Sequence, residues 1–163
     1  MSSALFGTVV DSPVGALTIV ASDAGVRAVL WPDDDPSRVR LPDSLDDPSH
    51  PVIAAAVAQL DEYFAGTRTT FDVPLDPVGT EFQRAAWDAL RTIPYGVTVS
   101  YGDQADRMGD RRKARAVGAA NGRNPISIIV PCHRVVGANG SLTGFAGGVD
   151  TKAWLLAHEQ PEP

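Results

Sequence analysis

Cys132 is the only cysteine in 163 residues, and it lies in the run Ile128-Ile129-Val130-Pro131-Cys132-His133-Arg134-Val135-Val136. A lone cysteine forms no disulfide within its own chain and cannot build a multi-cysteine zinc site. Two readings stay open: a buried inert thiol, or a single nucleophile acting as its thiolate. The apolar residues ahead of it read as a buried strand. Pro131 ends that strand, because proline donates nothing to a ladder. The thiol is therefore expected where a strand emerges into a turn.

The elements that must position it begin with β structure. Phe6–Val10 and Leu17–Ala21 flank the turn-rich Asp11-Ser12-Pro13-Val14-Gly15, and a third strand follows at Val26–Trp31. Residues 32–51, rich in proline and aspartate, read as a loop or mobile segment. Val52, Ala56, Val57, Leu60 and Phe64 share one face of a helix from about Val52 to Ala65, stopped by Gly66. A short strand near Thr70–Val73 leads into Pro74-Leu75-Asp76-Pro77, the expected boundary between domains at 1–77 and 78–163.

Thr80-Glu81-Phe82-Gln83 then carries a capping-box pattern, opening a helix that runs to the Pro94-Tyr95-Gly96 turn. Ser100-Tyr101-Gly102-Asp103 opens a short helix ending near Gly109, and a third spans about Arg111 to Asn121. Two short helices joined by a glycine-containing turn fit a helix-turn-helix, and equally fit two ordinary packed helices. A last helix covers Asp150 to Glu159.

The net charge of −6 hides an asymmetry. Residues 1–80 carry 4 basic and 12 acidic side chains, whereas residues 81–135 carry 9 basic and 5 acidic. Phosphate binding depends on a local basic face, so the second half is compatible with DNA. No apolar run approaches the ~20 residues that span a bilayer. No secretory signal is visible, and one free cysteine suits a reducing compartment, so the chain reads as soluble and cytoplasmic.

Pro131-Cys132-His133-Arg134-Val135 resembles the active-site signature of the O6-alkylguanine-DNA alkyltransferases, the methylated-DNA–protein-cysteine methyltransferases. Phe82-Gln83 with Trp87, Ile93-Pro94-Tyr95-Gly96, Val99-Ser100-Tyr101, Ala114-Arg115-Ala116-Val117-Gly118, Asn124-Pro125, Gly147-Gly148 and Leu155-Leu156 with Glu159 follow in the family's order and spacing. The likeness is close over residues 80–159 and looser over 1–77, where Ser12-Pro13-Val14-Gly15 with Leu17 is typical.

The resemblance implies an α+β fold. A small N-terminal β-sheet domain with a helix, ribonuclease-H-like, precedes a mainly helical, winged-helix-like DNA-binding domain carrying the site. It implies direct-reversal DNA repair: the alkyl group of O6-alkylguanine, and of O4-alkylthymine, moves once to the Cys132 thiolate and inactivates the protein. In-line displacement at carbon suits a soft anionic nucleophile, and the departing guanine anion needs a donor. By resemblance His133 activates Cys132 through a water, Glu159 orients His133, and Asn124 ties the active-site turn to the helix-turn-helix. Tyr101 donates to an extruded base, and Arg115 fills the space that the base leaves. Phe145, Ala146 and Val135 complete the base pocket. Lys113, Ala114, Ala116, Gly118 and Arg123 face the DNA minor groove. No cofactor, metal or membrane is implied, and the expected partner is alkylated double-stranded DNA, bound by a monomer with cooperativity left open.

Three positions depart from the family pattern. Phe145 stands where tyrosine is usual and loses a hydroxyl donor, while by resemblance the Ala146 backbone amide is still available to donate toward O6. Lys113 replaces a common small residue and offers an extra phosphate contact. Ser127 stands where some relatives have proline, opening the pocket to larger alkyl groups. Two other functions compete. A non-catalytic sensor of alkylated bases would lack Cys132, and a cysteine hydrolase would need a base touching the thiol together with an acyl pocket.

Overall fold

The computed structural model describes residues 4–142 and 144–161. The chain divides into two compact units, Met1–Val78 and Gly79–Pro163. The first is a four-stranded sheet with one helix. Strands β1 (Leu5–Val10), β2 (Leu17–Ser22) and β3 (Gly25–Leu30) form an antiparallel meander, and β4 (Ser44–Asp46) pairs parallel with β1, giving the order β3-β2-β1-β4. Alternation places Leu17 and Ile19 on one side of β2 and Val20 on the other, so both faces of the sheet are used. Helix α1 (Pro51–Phe64) packs on β1, β2 and β3 through Ile53, Ala56, Leu60 and Tyr63, a stripe at helical spacing.

Two expectations for this unit need correction. Residues 32–51 are not simply a loop. They contain β4, a half-buried Arg38–Asp34 ion pair at 2.6 Å, and Leu41, which packs on a cluster of Leu5, Val20 and Ala28. The strand expected at 70–73 is absent there. A single parallel bridge joins Leu75 to Val26 instead, fixed by Val26 N to Pro74 O and Asp76 N to Val26 O, each 2.8 Å. Pro74 has no amide to donate, so the ladder stops at one bridge.

The second unit is mainly helical. Helix α2 (Glu81–Leu90) begins with a reciprocal capping box between Thr80 and Gln83. Strand β5 (Val99–Ser100) runs into α3 (Tyr101–Arg107), which Ser100 and Asp103 cap in the same way. A 3-10 turn at Arg111–Lys113 precedes α4 (Ala114–Gly122). The buried side chains of Gln104 and Asn121 exchange two hydrogen bonds, at 2.9 and 2.7 Å, and Gln104 also donates to the Ala86 carbonyl at 3.1 Å. The Trp87 indole donates to Ala120 O at 2.9 Å, so α2, α3 and α4 are joined by directional bonds as well as by apolar packing.

The run before Cys132 is the largest difference from the sequence reading. Residues 127–129 are turn, not strand, and Ile128 has φ of 72°. Cys132 opens a 3-10 turn, Cys132–Arg134, and the strand comes afterwards: β6 (Val135–Val136) pairs parallel with β5. Helix α5 (Val149–His158) closes the unit, with Glu159 as its C-cap. No helix among the described residues is long and apolar enough to cross a membrane.

Ser100 serves both β5 and the cap of α3. Ser100→Ala is expected to cost about 1 kcal/mol of stability, and Ser100→Gly only a few tenths, because glycine leaves the helix end open to water. Urea unfolding midpoints check this.

Candidate active site

The cysteine turn is assembled around one buried amide. Asn124 Oδ1 accepts from Ile126 N at 3.0 Å, and its Nδ2 donates to Val130 O at 2.9 Å, so one side chain holds both ends of residues 126–130. Asn124 follows directly on α4, whose C-cap is Arg123. The turn leaves Cys132 half-buried and its neighbour His133 wholly enclosed.

Behind the thiol lies a buried ionic chain. Glu159 Oε2 receives His133 Nε2 at 2.7 Å, while Arg134 Nε meets Glu159 Oε1 at 2.7 Å and its Nη2 meets Oε2 at 3.1 Å. These side chains are 0%, 1% and 7% exposed for His133, Glu159 and Arg134. Arg134 Nη1 also donates to Ile93 O at 2.7 Å, which brings the end of the α2 segment to the same place. The fork of the guanidinium fits the carboxylate in two bonds. Gly96 completes the surround with φ of 80°; a Cβ there would stand 3.1 Å from the Glu159 carbonyl.

This arrangement sets the state of the imidazole. Burial pushes His133 below its ordinary value, Glu159 pulls it back, and Arg134 and Lys152 add to the lowering. Arg134 already balances the carboxylate, so an imidazolium would leave an extra buried positive charge. His133 is therefore neutral. A carboxylate only accepts, so Nε2 carries the hydrogen and Nδ1 is the bare acceptor. Nδ1 is buried and has no hydrogen-bond partner in the structure.

Lys152 approaches from α5. Its side chain is almost fully buried, Nζ donates to Val135 O at 2.6 Å, and it stands 5.8 Å from the centre of the Phe145 ring. Burial lowers its pKa, and the adjacent Cys132 sulfur, when ionised, raises it. A buried ammonium here favours a thiolate.

The residues assigned to DNA and base contact fall into groups. Tyr101, Ala114, Arg115 and Gly118 line an open cleft of about 400 Å³ together with Gly144. Gly118 lies against the Tyr101 ring, where an added Cβ would sit 3.6 Å away. Arg115, Ala116, Lys113 and Arg123 are exposed, and the Lys113 ammonium stands 5.8 Å over the Phe82 ring. Cys132, Val135, Phe145 and Ala146 are not part of the cleft wall. Val135 is buried with its carbonyl engaged by Lys152, and Ala146 is exposed. Ser127 is also buried and outside the cleft.

Sequence reasoning missed Arg134 and Lys152. Both are charged residues, which ordinarily read as surface. A signal did exist for the lysine, because Lys152, Leu155 and Glu159 fall at i, i+3 and i+7 on the buried face of one helix.

Both units have counterparts among known proteins. Residues 81–161 match the DNA-binding domain of 6-O-methylguanine DNA methyltransferase, and residues 5–77 match its ribonuclease-like domain. The methylated-DNA–protein-cysteine methyltransferase of Mycolicibacterium paratuberculosis is 50% identical over 153 residues, covering 93% of this chain and 90% of that protein. That of Methanosarcina acetivorans is 44% identical, covering 95% and 98%. In structure, Mycobacterium tuberculosis OGT in complex with DNA aligns with a TM-score of 0.87 at 48% identity, covering 94% of this chain and 92% of that one. Two family matches that together take in nearly every residue, and relatives of such identity over almost their full length, leave one assignment: the chain belongs to the 6-O-methylguanine DNA methyltransferase family.

Proposed function

We propose that this protein repairs alkylated DNA by moving the alkyl group from O6 of guanine, and from O4 of thymine, to the thiolate of Cys132. The observation that carries the reading is the buried chain Arg134–Glu159–His133, which ends in a bare Nδ1 beside the cysteine turn. Nδ1 takes the thiol proton through one water, and the imidazolium so formed is held by Glu159. The Lys152 ammonium favours the thiolate that remains. Sulfur attacks the alkyl carbon in line, the C–O6 bond breaks, and its electron pair passes to the guanine. The base recovers a proton on the side of Tyr101, while the Ala146 amide donates toward O6.

The target base must leave the stack before a thiol can approach it. The cleft formed by Tyr101, Ala114, Arg115 and Gly118 supports a helix α4 lying in the minor groove, with Arg115 filling the vacated space and Ala116, Lys113 and Arg123 toward the backbone. Phe145, half-buried, acts as pocket wall, and Val135 supports it from the buried side through the bond to Lys152. Residues 78–163 do this chemistry, with 1–77 as a separate N-terminal domain. The product is a thioether, so each molecule acts once, as a monomer, in a reducing, cytoplasmic setting. The similar Mycobacterium tuberculosis protein, solved in complex with DNA, supports the DNA-binding part of the reading.

Intact and peptide mass spectrometry after incubation with a duplex bearing one O6-methylguanine should find one methyl per protein, on the Cys132 peptide. Cys132→Ala should gain none. Tight lesion binding without mass gain would make the protein a damage sensor instead. Glu159→Gln strands the buried Arg134 charge and should cost about 3 kcal/mol of stability, beside any loss of rate. Denaturant unfolding measures the first effect and single-turnover transfer the second. His133 is held neutral when folded but titrates near 6.5 when unfolded, so the unfolded chain takes up a proton that the folded chain refuses. Stability should therefore fall as pH drops below 6.5, and His133→Gln should flatten that dependence.

A further inference from the structure

Ile128 is the one non-glycine residue with positive φ among the described residues, at 72°. A β-branched side chain in that region is a steric outlier, since Cβ crowds the backbone. Its position is not accidental. Ile129 N donates to Ser127 O at 2.8 Å, closing a three-residue γ-turn of the rare, strained hand around Ile128. Three residues on, Cys132 N donates to Val130 O at 2.9 Å, closing a second γ-turn around Pro131, whose φ of −84° and ψ of 66° give the opposite, relaxed hand. Proline suits the second turn because it needs no amide at the centre. Glycine would suit the first at no steric cost, yet the residue there is isoleucine, 1% exposed.

Three groups hold the strained residue in place. Val130 N returns to Ile126 O at 2.9 Å, and Asn124 grips Ile126 N and Val130 O from the side. The Ile128 side chain is buried alongside Ile126, Ile129 and Val130, so a return to right-handed φ would drag an apolar group out of the core. The opposed turns engage the amides of Ile129 and Cys132, and the bond to Ile126 O engages that of Val130, so every amide from Ile129 to Cys132 is held except at Pro131, which has none.

We propose that Ile128 is a positioning residue for Cys132: its enforced left-handed turn sets the direction in which the chain delivers the thiol. This rests on Cys132 being the acceptor of the alkyl group. The strain is retained because a glycine there would reach the same conformation without being confined to it, and a mobile turn would spread the thiol over many approaches. In-line displacement tolerates little such spread.

The test compares Ile128→Gly with Ile128→Val, which keeps the β-branch. Amide hydrogen exchange at Ile129 and Cys132, the two donors that close the turns, needs no substrate. Exchange should accelerate about tenfold in the glycine variant relative to amides elsewhere in the second unit, and stay within about twofold in the valine variant. Single-turnover methyl transfer at saturating DNA should slow about tenfold in the glycine variant, with binding affinity in a Cys132→Ser background and the pH midpoint of Cys132 alkylation by iodoacetamide unchanged. Unchanged local exchange in a folded glycine variant overturns the proposal, whatever the substrate proves to be. So does a valine variant slowed as much as glycine, since loss of packing alone would then account for both. Native protein that transfers no methyl would overturn the reading of Cys132 as acceptor, while the exchange result would still judge the turn.

Discussion

One carboxylate carries the second half of the chain. Glu159 takes three bonds from two cationic or potentially cationic groups, all enclosed. Through them it joins α5 to the 3-10 turn of Cys132–Arg134, and Arg134 extends the connection to Ile93 at the end of the α2 segment. A buried ion pair of this kind stabilises little relative to an apolar core, because desolvation offsets the attraction. What it supplies is definition. The guanidinium fork admits one arrangement of the carboxylate, and that arrangement leaves a single oxygen for the imidazole. The same charge balance keeps the imidazole neutral, so the tautomer of His133 follows from the fold rather than from local solvent.

Asn124 does for the backbone what Glu159 does for the side chains. It stands directly after α4 and holds the turn that delivers Cys132. The helix that lines the cleft and the turn that presents the sulfur are therefore ends of one short covalent segment, bridged by two side-chain hydrogen bonds. Lys152 fastens the strand after Cys132 to α5. Cys132 thus sits among three fixed supports while remaining half-exposed.

Much of this was legible in the sequence, and the rest was hidden for physical reasons. The meander of β1 to β3 declared itself through turn residues and alternation, the capping box of α2 through Thr80 and Gln83, and the start of α3 through Ser100. The family signature singled out Cys132, His133, Asn124 and Glu159, and the structure brings the first three into one turn region with Glu159 bonded to His133. Ile128 to Val130 misled because three apolar residues suit a buried turn as well as a buried strand, and no glycine marks the left-handed position. β4 is three exposed residues long, too short for any period to show. Arg134 and Lys152 escaped because buried charge becomes visible only once its partners are in place.

The bonds among α2, α3 and α4 have a mechanical meaning. Apolar side chains in contact can slide and repack, but the paired amides of Gln104 and Asn121 fit in one register only. Together with the Trp87 indole on Ala120, they turn three helices into a stiff bracket. Asn121 and Asn124 lie three residues apart, so torque applied to the outer face of α4 reaches the sulfur with little slack.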